Sequence, residues 1–155
     1  GRCHVIEVDP TGVADPWNEA IENRLAADVE GAARLASRGS LRSLVVSIAN
    51  KGAKELARAE FLKRSERLNR VLGKVAARLH KGLDSPGIVM TGGDVALSVM
   101  LALGTRSIQL GGELLPGIPL AWAVDGPLKG LRLVTKAGGF GPPEALAQAT
   151  LALAM

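Results

Sequence analysis

The stretch Gly87-Ile88-Val89-Met90-Thr91-Gly92-Gly93-Asp94-Val95 decides the fold. Gly87 to Met90 is an apolar run of strand length, and Thr91-Gly92-Gly93-Asp94 carries turn chemistry. Val95–Leu103 continues as a helix that is apolar on almost every face, which predicts burial, and Gly104 ends it. A strand that feeds a helix through a glycine-rich turn is the repeating unit of α/β layers.

Upstream, His4-Val5-Ile6-Glu7-Val8 reads as a short strand. Asp15 is placed as a helix N-cap with Pro16 at the first helical position. Ile21, Leu25, Val29, Ala32, Ala33 and Ala36 recur at helical spacing up to Gly39, which supplies a left-handed stop. Within Leu41–Ile48, the run Leu44-Val45-Val46-Ser47-Ile48 predicts a buried strand. A long helix follows over Ala53–His80, with Leu56, Ala59, Leu68, Val71, Leu72, Val75 and Leu79 as its apolar stripe. Lys81-Gly82 closes it, and Pro86 is a further stop.

Downstream, strands are expected over Arg106–Leu110, Ile118–Val124 and Leu131–Thr135, with turns at Pro116-Gly117 and Asp125-Gly126-Pro127. Lys136-Ala137-Gly138-Gly139-Phe140-Gly141 is a glycine-dense loop. Pro142-Pro143-Glu144 then opens a last helix with Leu146, Ala149, Thr150 and Leu153 on one face. The order predicts an α/β fold: layered, with a mixed sheet, largely parallel in the first half, flanked by helices. The 155 residues suit one domain, residues 1–155.

Composition narrows the function. The chain is 47% hydrophobic but only 3% aromatic, with no Tyr, so Leu, Val, Ile and Ala must fill the core. Its 19 glycines exceed the usual ~7% and call for loops with special angles or close approach to a ligand. One cysteine, Cys3, excludes an internal disulfide and a multi-cysteine zinc site. No window approaches the ~20 apolar residues of a membrane span. Gly1-Arg2-Cys3-His4 lacks a signal-peptide apolar region, so a cytoplasmic protein is expected. The net charge of +4 concentrates between Lys51 and Lys81. A basic module that binds nucleic acid is one reading of that cluster. Single-strand readers interleave aromatics with such a patch, and only Phe61 is present, which favours a solvated helix face.

Two places offer anion chemistry. Thr91-Gly92-Gly93-Asp94 and Gly138-Gly139-Phe140-Gly141 each stand between a strand and a helix N-terminus, where backbone N–H groups lie free and the helix dipole favours a negative charge. In a parallel arrangement both lie at strand C-terminal ends, where open α/β sheets bind ligands. The plain alternative is turn chemistry, with Asp94 as a helix N-cap and Lys136 directed at solvent rather than at a phosphate. A catalytic reading of Asp94 requires Mg²⁺ between it and a phosphate.

Common templates do not fit. G-x-x-x-x-G-K-[ST], H-E-x-x-H and G-x-S-x-G are absent. Gly139-Phe140-Gly141 begins like G-x-G-x-x-G, but Glu144 replaces the third glycine. His4 and His80 are far apart in sequence, and Trp122 on its strand reads as core.

Three motifs in order, however, resemble one family. Thr91-Gly92-Gly93-Asp94-Val95-Ala96 resembles the Gly-Gly-[Asp/Glu]-Thr-Ala element of four-carbon acid sugar kinases. Gly112-Glu113-Leu114-Leu115-Pro116-Gly117-Ile118-Pro119 is similar to that family's Gly-x-Glu-x-x-Pro-Gly-Val-Pro. Lys136-Ala137-Gly138-Gly139-Phe140-Gly141 is similar to its Lys-[Ser/Pro]-Gly-[Gly/Asn]-Phe-Gly. The likeness covers about residues 88–153; the first half resembles the family only in pattern.

The resemblance implies a nucleotide-binding domain whose enzyme uses ATP and Mg²⁺ to phosphorylate a hydroxyl of threonate, erythronate or 3-oxo-tetronate. It implies ATP-binding roles for Gly92, Gly93, Asp94, Val95, Gly138, Gly139 and Gly141, with Val95 standing where the family has Thr. Lys136 is a further candidate for phosphate contact, and Asp94 for a water-mediated Mg²⁺ contact. The chain is similar to the C-terminal, ATP-binding domain alone. The acceptor, its base and most catalytic groups are therefore expected on an N-terminal sugar-acid-binding domain, and an apolar docking face or homodimer is expected here. The competing classes are the nucleic-acid module and a non-catalytic scaffold.

Overall fold

The computed structural model describes residues 2–8, 19–38, 41–49, 58–82 and 87–154. They form β1 (Arg2–Val8), α1 (Glu19–Ser37), β2 (Leu41–Ile48), α2 (Arg58–Gly82), β3 (Gly87–Thr91), α3 (Gly93–Ala102), β4 (Ile108–Leu115), β5 (Ile118–Ala123), β6 (Arg132–Lys136) and α4 (Ala145–Ala154). The α/β expectation holds, with the strands divided between two sheets and two compact units, residues 1–83 and 84–155. The expectations for Asp15, Pro16, Gly39, Leu56, Pro86 and the start of the long helix at Ala53 fall outside the described residues.

The first unit contains the parallel pair β1–β2, in which Val5 lies opposite Val45 and Val8 opposite Ile48. A parallel connection needs a crossover, and α1 supplies it. Leu25, Val29 and Ala32 on α1, and Leu68, Val71, Leu72, Val75 and Leu79 on α2, are buried. The opposite flank of α2 is charged, with Glu66 paired to Arg70 at 2.6 Å across one helical turn. This is the solvated face that its periodicity predicts. β2 departs from expectation: Val45 and Ile48 are exposed rather than buried.

The second unit carries the four-stranded sheet, in the order β3-β6-β5-β4. β3 and β6 run parallel, while β5 is antiparallel to both of its neighbours. β4 reaches Leu115, five residues past its expected end, and makes a hairpin with β5 through Pro116-Gly117. Gly111 and Gly112 do not break it. A side chain at Gly111 would strike the Trp122 ring, so glycine is what lets the two strands approach there. Pro119 stands near the start of the inner strand β5 and has no N–H for a ladder; it lies before the residues that pair with β6 and sits opposite Glu113, where the register shifts on both sides.

α4 packs Ala145, Ala149 and Leu153 with Ile118 and Val134 into the core of this unit. Its buried stripe thus repeats every four residues, and Leu146, expected inward, is exposed. α3 likewise buries only Ala96 and Val99, and Leu97 and Leu101 are more than half exposed. The expectation of a buried helix is corrected accordingly: one face of α3 meets β3 and β6, and the opposite apolar face is open.

Candidate functional site

The two glycine-rich loops meet. Because β3 and β6 are parallel and in register, Thr91 and Lys136 stand level at the ends of their strands. The Gly92 N–H donates to the Lys136 carbonyl at 2.8 Å, and the Thr91 hydroxyl lies 3.4 Å from the Gly138 carbonyl. A groove of about 260 Å³ opens beside them, lined by Gly92, Gly93, Ala96, Gly117, Pro119, Thr135, Lys136 and Ala137.

Its first wall is the head of α3. Gly92 is the N-cap, with φ 95°, a conformation that an L side chain adopts only under strain. The expected cap, Asp94, is instead the second residue of the helix and exposed. Gly92 can sit at the cap because its φ is open to glycine and because its amide is already satisfied by the neighbouring strand. No side chain caps this end. The first intrahelical bond runs from the Ala96 N–H to the Gly92 carbonyl at 3.0 Å, so the amides of Gly93, Asp94 and Val95 are left at the positive end of the helix. Val95 has no hydroxyl, but its amide is in place. A Cβ built on Gly93 would meet nothing within 4 Å; the room that this glycine leaves belongs to the groove.

The second wall is the end of β6 and the first residues after it, Thr135, Lys136 and Ala137; Gly138, Gly139 and Gly141 follow in the same loop but are not among the residues that line the groove. Gly138 and Gly139 are equally open, and Gly141 has φ 91°. Lys136 does not extend into solvent. Its ammonium donates to the carbonyls of Ala137 at 3.0 Å, Phe140 at 2.7 Å and Gly138. Those three bonds match its three donors.

The third wall was missing from the sequence-derived set. Gly117 and Pro119 come from the β4–β5 hairpin. Gly117 has φ 71°, and a Cβ there would lie 2.7 Å from the Phe140 Cε1, so the ring of the glycine loop rests directly on the hairpin turn. The signal for this wall was present in the middle motif, Gly112–Pro119, which carried no assigned residue.

The arrangement can hold an anion with several oxygens by main-chain N–H groups. Asp94 adds one exposed carboxylate in the first turn of α3, next to Gly93. Among the described residues no group of three or more His, Cys, Asp or Glu side chains is placed to hold a metal ion. A single carboxylate suits Mg²⁺ that arrives with a phosphate ligand rather than Mg²⁺ in an all-protein cage. No described helix is long and apolar enough to cross a membrane.

The chain is 44% identical over 84 residues to the D-threonate kinase of Bordetella bronchiseptica, covering 54% of this chain and 21% of that protein. It is 30% identical over 160 residues to the D-threonate kinase of Salmonella typhimurium, covering 96% of this chain and 36% of that one. A crystal structure of a domain of unknown function from Bordetella bronchiseptica, a domain-swapped dimer with bound citrate, matches with TM-score 0.78 and 29% identity over 97% of this chain and 35% of that one. The chain thus spans about a third or less of the length of these relatives. The family model described as the nucleotide-binding C-terminal domain matches residues 2–146, and the chain belongs to that family, the C-terminal domain of four-carbon acid sugar kinases.

Proposed function

We propose that the groove binds the phosphates of Mg-ATP and that the full-length protein transfers the terminal phosphoryl group to a hydroxyl of a four-carbon sugar acid of the threonate class. The observation that carries this reading is the bond between Gly92 and Lys136, which joins the starts of two glycine-rich loops beside one groove at the amide-bearing head of α3. Phosphoryl transfer asks mainly for positioning and for neutralisation of charge on the oxygens. Here the amides of Gly93, Asp94 and Val95, with those of Gly138, Gly139 and Gly141, supply oriented donors without a P-loop lysine. Mg²⁺ supplies the charge that lets Asp94 face a polyphosphate.

The acceptor hydroxyl, its base and the partner of the sugar-acid carboxylate belong in this reading to a separate N-terminal domain, and the kinase works in the cytoplasm. The open leucines of α3 and α4, Leu97, Leu101, Leu146 and Leu151, fit a further protein surface, that domain or a second copy of the chain. Calorimetry and thermal shift with Mg-ATP and Mg-ADP test the proposal. A ligand at ~100 times its Kd adds roughly 2.7 kcal/mol of stability. Absence of both heat and shift at millimolar nucleotide overturns it. The 155-residue chain alone should give no turnover of threonate, erythronate or 3-oxo-tetronate; measurable turnover contradicts the division of labour.

A further inference from the structure

Lys136 holds three carbonyls of the loop that follows it: those of Ala137, Gly138 and Phe140. In a trans peptide the C=O and the next residue's N–H point in opposite directions. Each carbonyl drawn toward the ammonium therefore turns one amide away from it. The amides fixed in this way are those of Gly138, Gly139 and Gly141, the three glycines of the motif. The intervening amide, that of Phe140, behaves differently and closes the loop on the Ala137 carbonyl at 3.2 Å. Glycine is needed where the amides face outward. A Cβ at Gly138 or Gly139 would project into open space, and Gly141 takes φ 91°. The main chain of Lys136 is anchored too, since its carbonyl accepts the Gly92 N–H.

From this geometry we infer that Lys136 is a positioning residue: it gathers the carbonyls on one side of the loop and so presents the Gly138, Gly139 and Gly141 amides on the other as a preformed seat for phosphate oxygens. The inference rests on the nucleotide reading above and adds a role that differs from direct phosphate contact. A lysine that reached a phosphate would have to release carbonyls that it now bonds, and the loop would lose its shape when the ligand arrived. A positioning lysine keeps them. Charged hydrogen bonds of this kind are among the stronger ones in proteins.

The test uses the 155-residue chain with Lys136→Met and Lys136→Arg. Backbone ¹⁵N relaxation is measured without ligand, and binding of Mg-ADP and of tripolyphosphate is measured by calorimetry. In the wild type the amides of residues 138–141 should have order parameters near those of rigid backbone, ~0.85; in Lys136→Met they should fall below about 0.6 while the sheet is unchanged. Affinity for both probes should drop roughly tenfold or more, as expected for loss of charged hydrogen bonds. Lys136→Arg should fail similarly, because a planar guanidinium cannot take three converging carbonyls as an ammonium does. Unchanged loop order in Lys136→Met overturns the inference, and so does full tripolyphosphate affinity in Lys136→Arg. If Lys136→Met does not fold, Lys136→Arg carries both readouts. A wild-type protein that binds neither probe sinks the nucleotide reading instead; the relaxation data then still decide whether Lys136 holds the loop.

Discussion

The Gly92 amide and the Lys136 carbonyl are joined at 2.8 Å, across the ends of two strands 45 positions apart in the sequence. This bond continues the β3–β6 ladder one step past its last paired residues, Thr91 and Lys136. It also removes from the head of α3 the one amide that points back at the sheet. The amides that remain, from Gly93 to Val95, have no competing side-chain cap, and Gly93 lines the groove. On the proposed reading the sheet thereby prepares the anion site, and the helix contributes its dipole.

Replacing Gly93 by Val separates fold from function. Gly93 has no unusual φ and open space around it, so the fold should tolerate a side chain there, and Val is no poorer a helix former than Gly. The melting temperature should move by no more than about 4 °C. The side chain would instead occupy the place of a phosphate oxygen beside the α3 amides. Mg-ATP affinity should fall at least about 100-fold, equivalent to ~2.7 kcal/mol. Wild-type affinity in the variant removes this loop from the site.

Gly117→Ala should behave in the opposite way. The left-handed conformation costs an L-residue roughly 1–2 kcal/mol, and the Phe140 ring must move to admit the methyl group. Both stability and nucleotide affinity should therefore fall, with the loss of affinity traced to displacement of the 138–141 loop. Gly112→Ala is the matched control: its Cβ meets nothing within 4 Å and its φ is ordinary, so it should be near neutral in both. Equal melting temperatures for the two variants would show that Phe140 does not brace the hairpin.

Much of this was readable from local pattern. The order of strands and helices followed from apolar runs punctuated by Gly and Pro, and the two loops could be placed together because parallel strands end at the same edge. What was not readable depends on direction rather than type. α3 is apolar all round, so its sequence has no phase, and nothing in it tells that Leu97 and Leu101 face outward. In α4 the small buried residues Ala145 and Ala149 outrank the larger Leu146, because closeness to Ile118 and Val134 decides the packing. Asp94 has the chemistry of a cap, yet Gly92 takes the position through its φ. Gly111 reads as a strand breaker, yet it continues β4 because the Trp122 ring, eleven residues later, covers it. The return of Lys136 onto its own loop has no periodic signature at all.

Asp125 gives the fold an acid limb. Its Oδ1 accepts the Arg106 N–H at 2.8 Å and the Ser107 N–H at 3.2 Å. The bond from the Arg106 amide is the main cause that holds its carboxyl below the usual carboxylate value; desolvation opposes it, and the Ser107 amide assists. The folded state therefore favours the charged form. The stabilisation is complete above the unfolded value, ~3.9, and is lost as pH falls through the lower folded value. Asp125→Asn keeps an acceptor oxygen but no longer titrates there. Its stability should depend less on pH below about 4, and its deficit against the wild type should be greatest at pH 7 and shrink as the wild-type carboxyl protonates. Identical acid limbs in the two proteins would remove Asp125 from the account.

On the proposed reading, Asp94 sets how the site treats metal. Its carboxylate stands at the second position of α3, where it favours the helix by about 0.3–1 kcal/mol through the dipole. The same negative charge opposes a bare polyphosphate bound to the adjacent amides. Mg²⁺ between them turns the repulsion into attraction. Asp94→Asn should therefore bind metal-free ADP at least as tightly as the wild type does. The gain in affinity on adding Mg²⁺ should shrink by roughly tenfold, a change of about 1.4 kcal/mol. Stability should fall by no more than the dipole contribution, so thermal denaturation provides the control. Titrations of ADP with and without Mg²⁺ on both proteins measure the four affinities. An undiminished Mg²⁺ effect in Asp94→Asn would mean that the ion is held by the nucleotide alone and that this carboxylate serves only the helix.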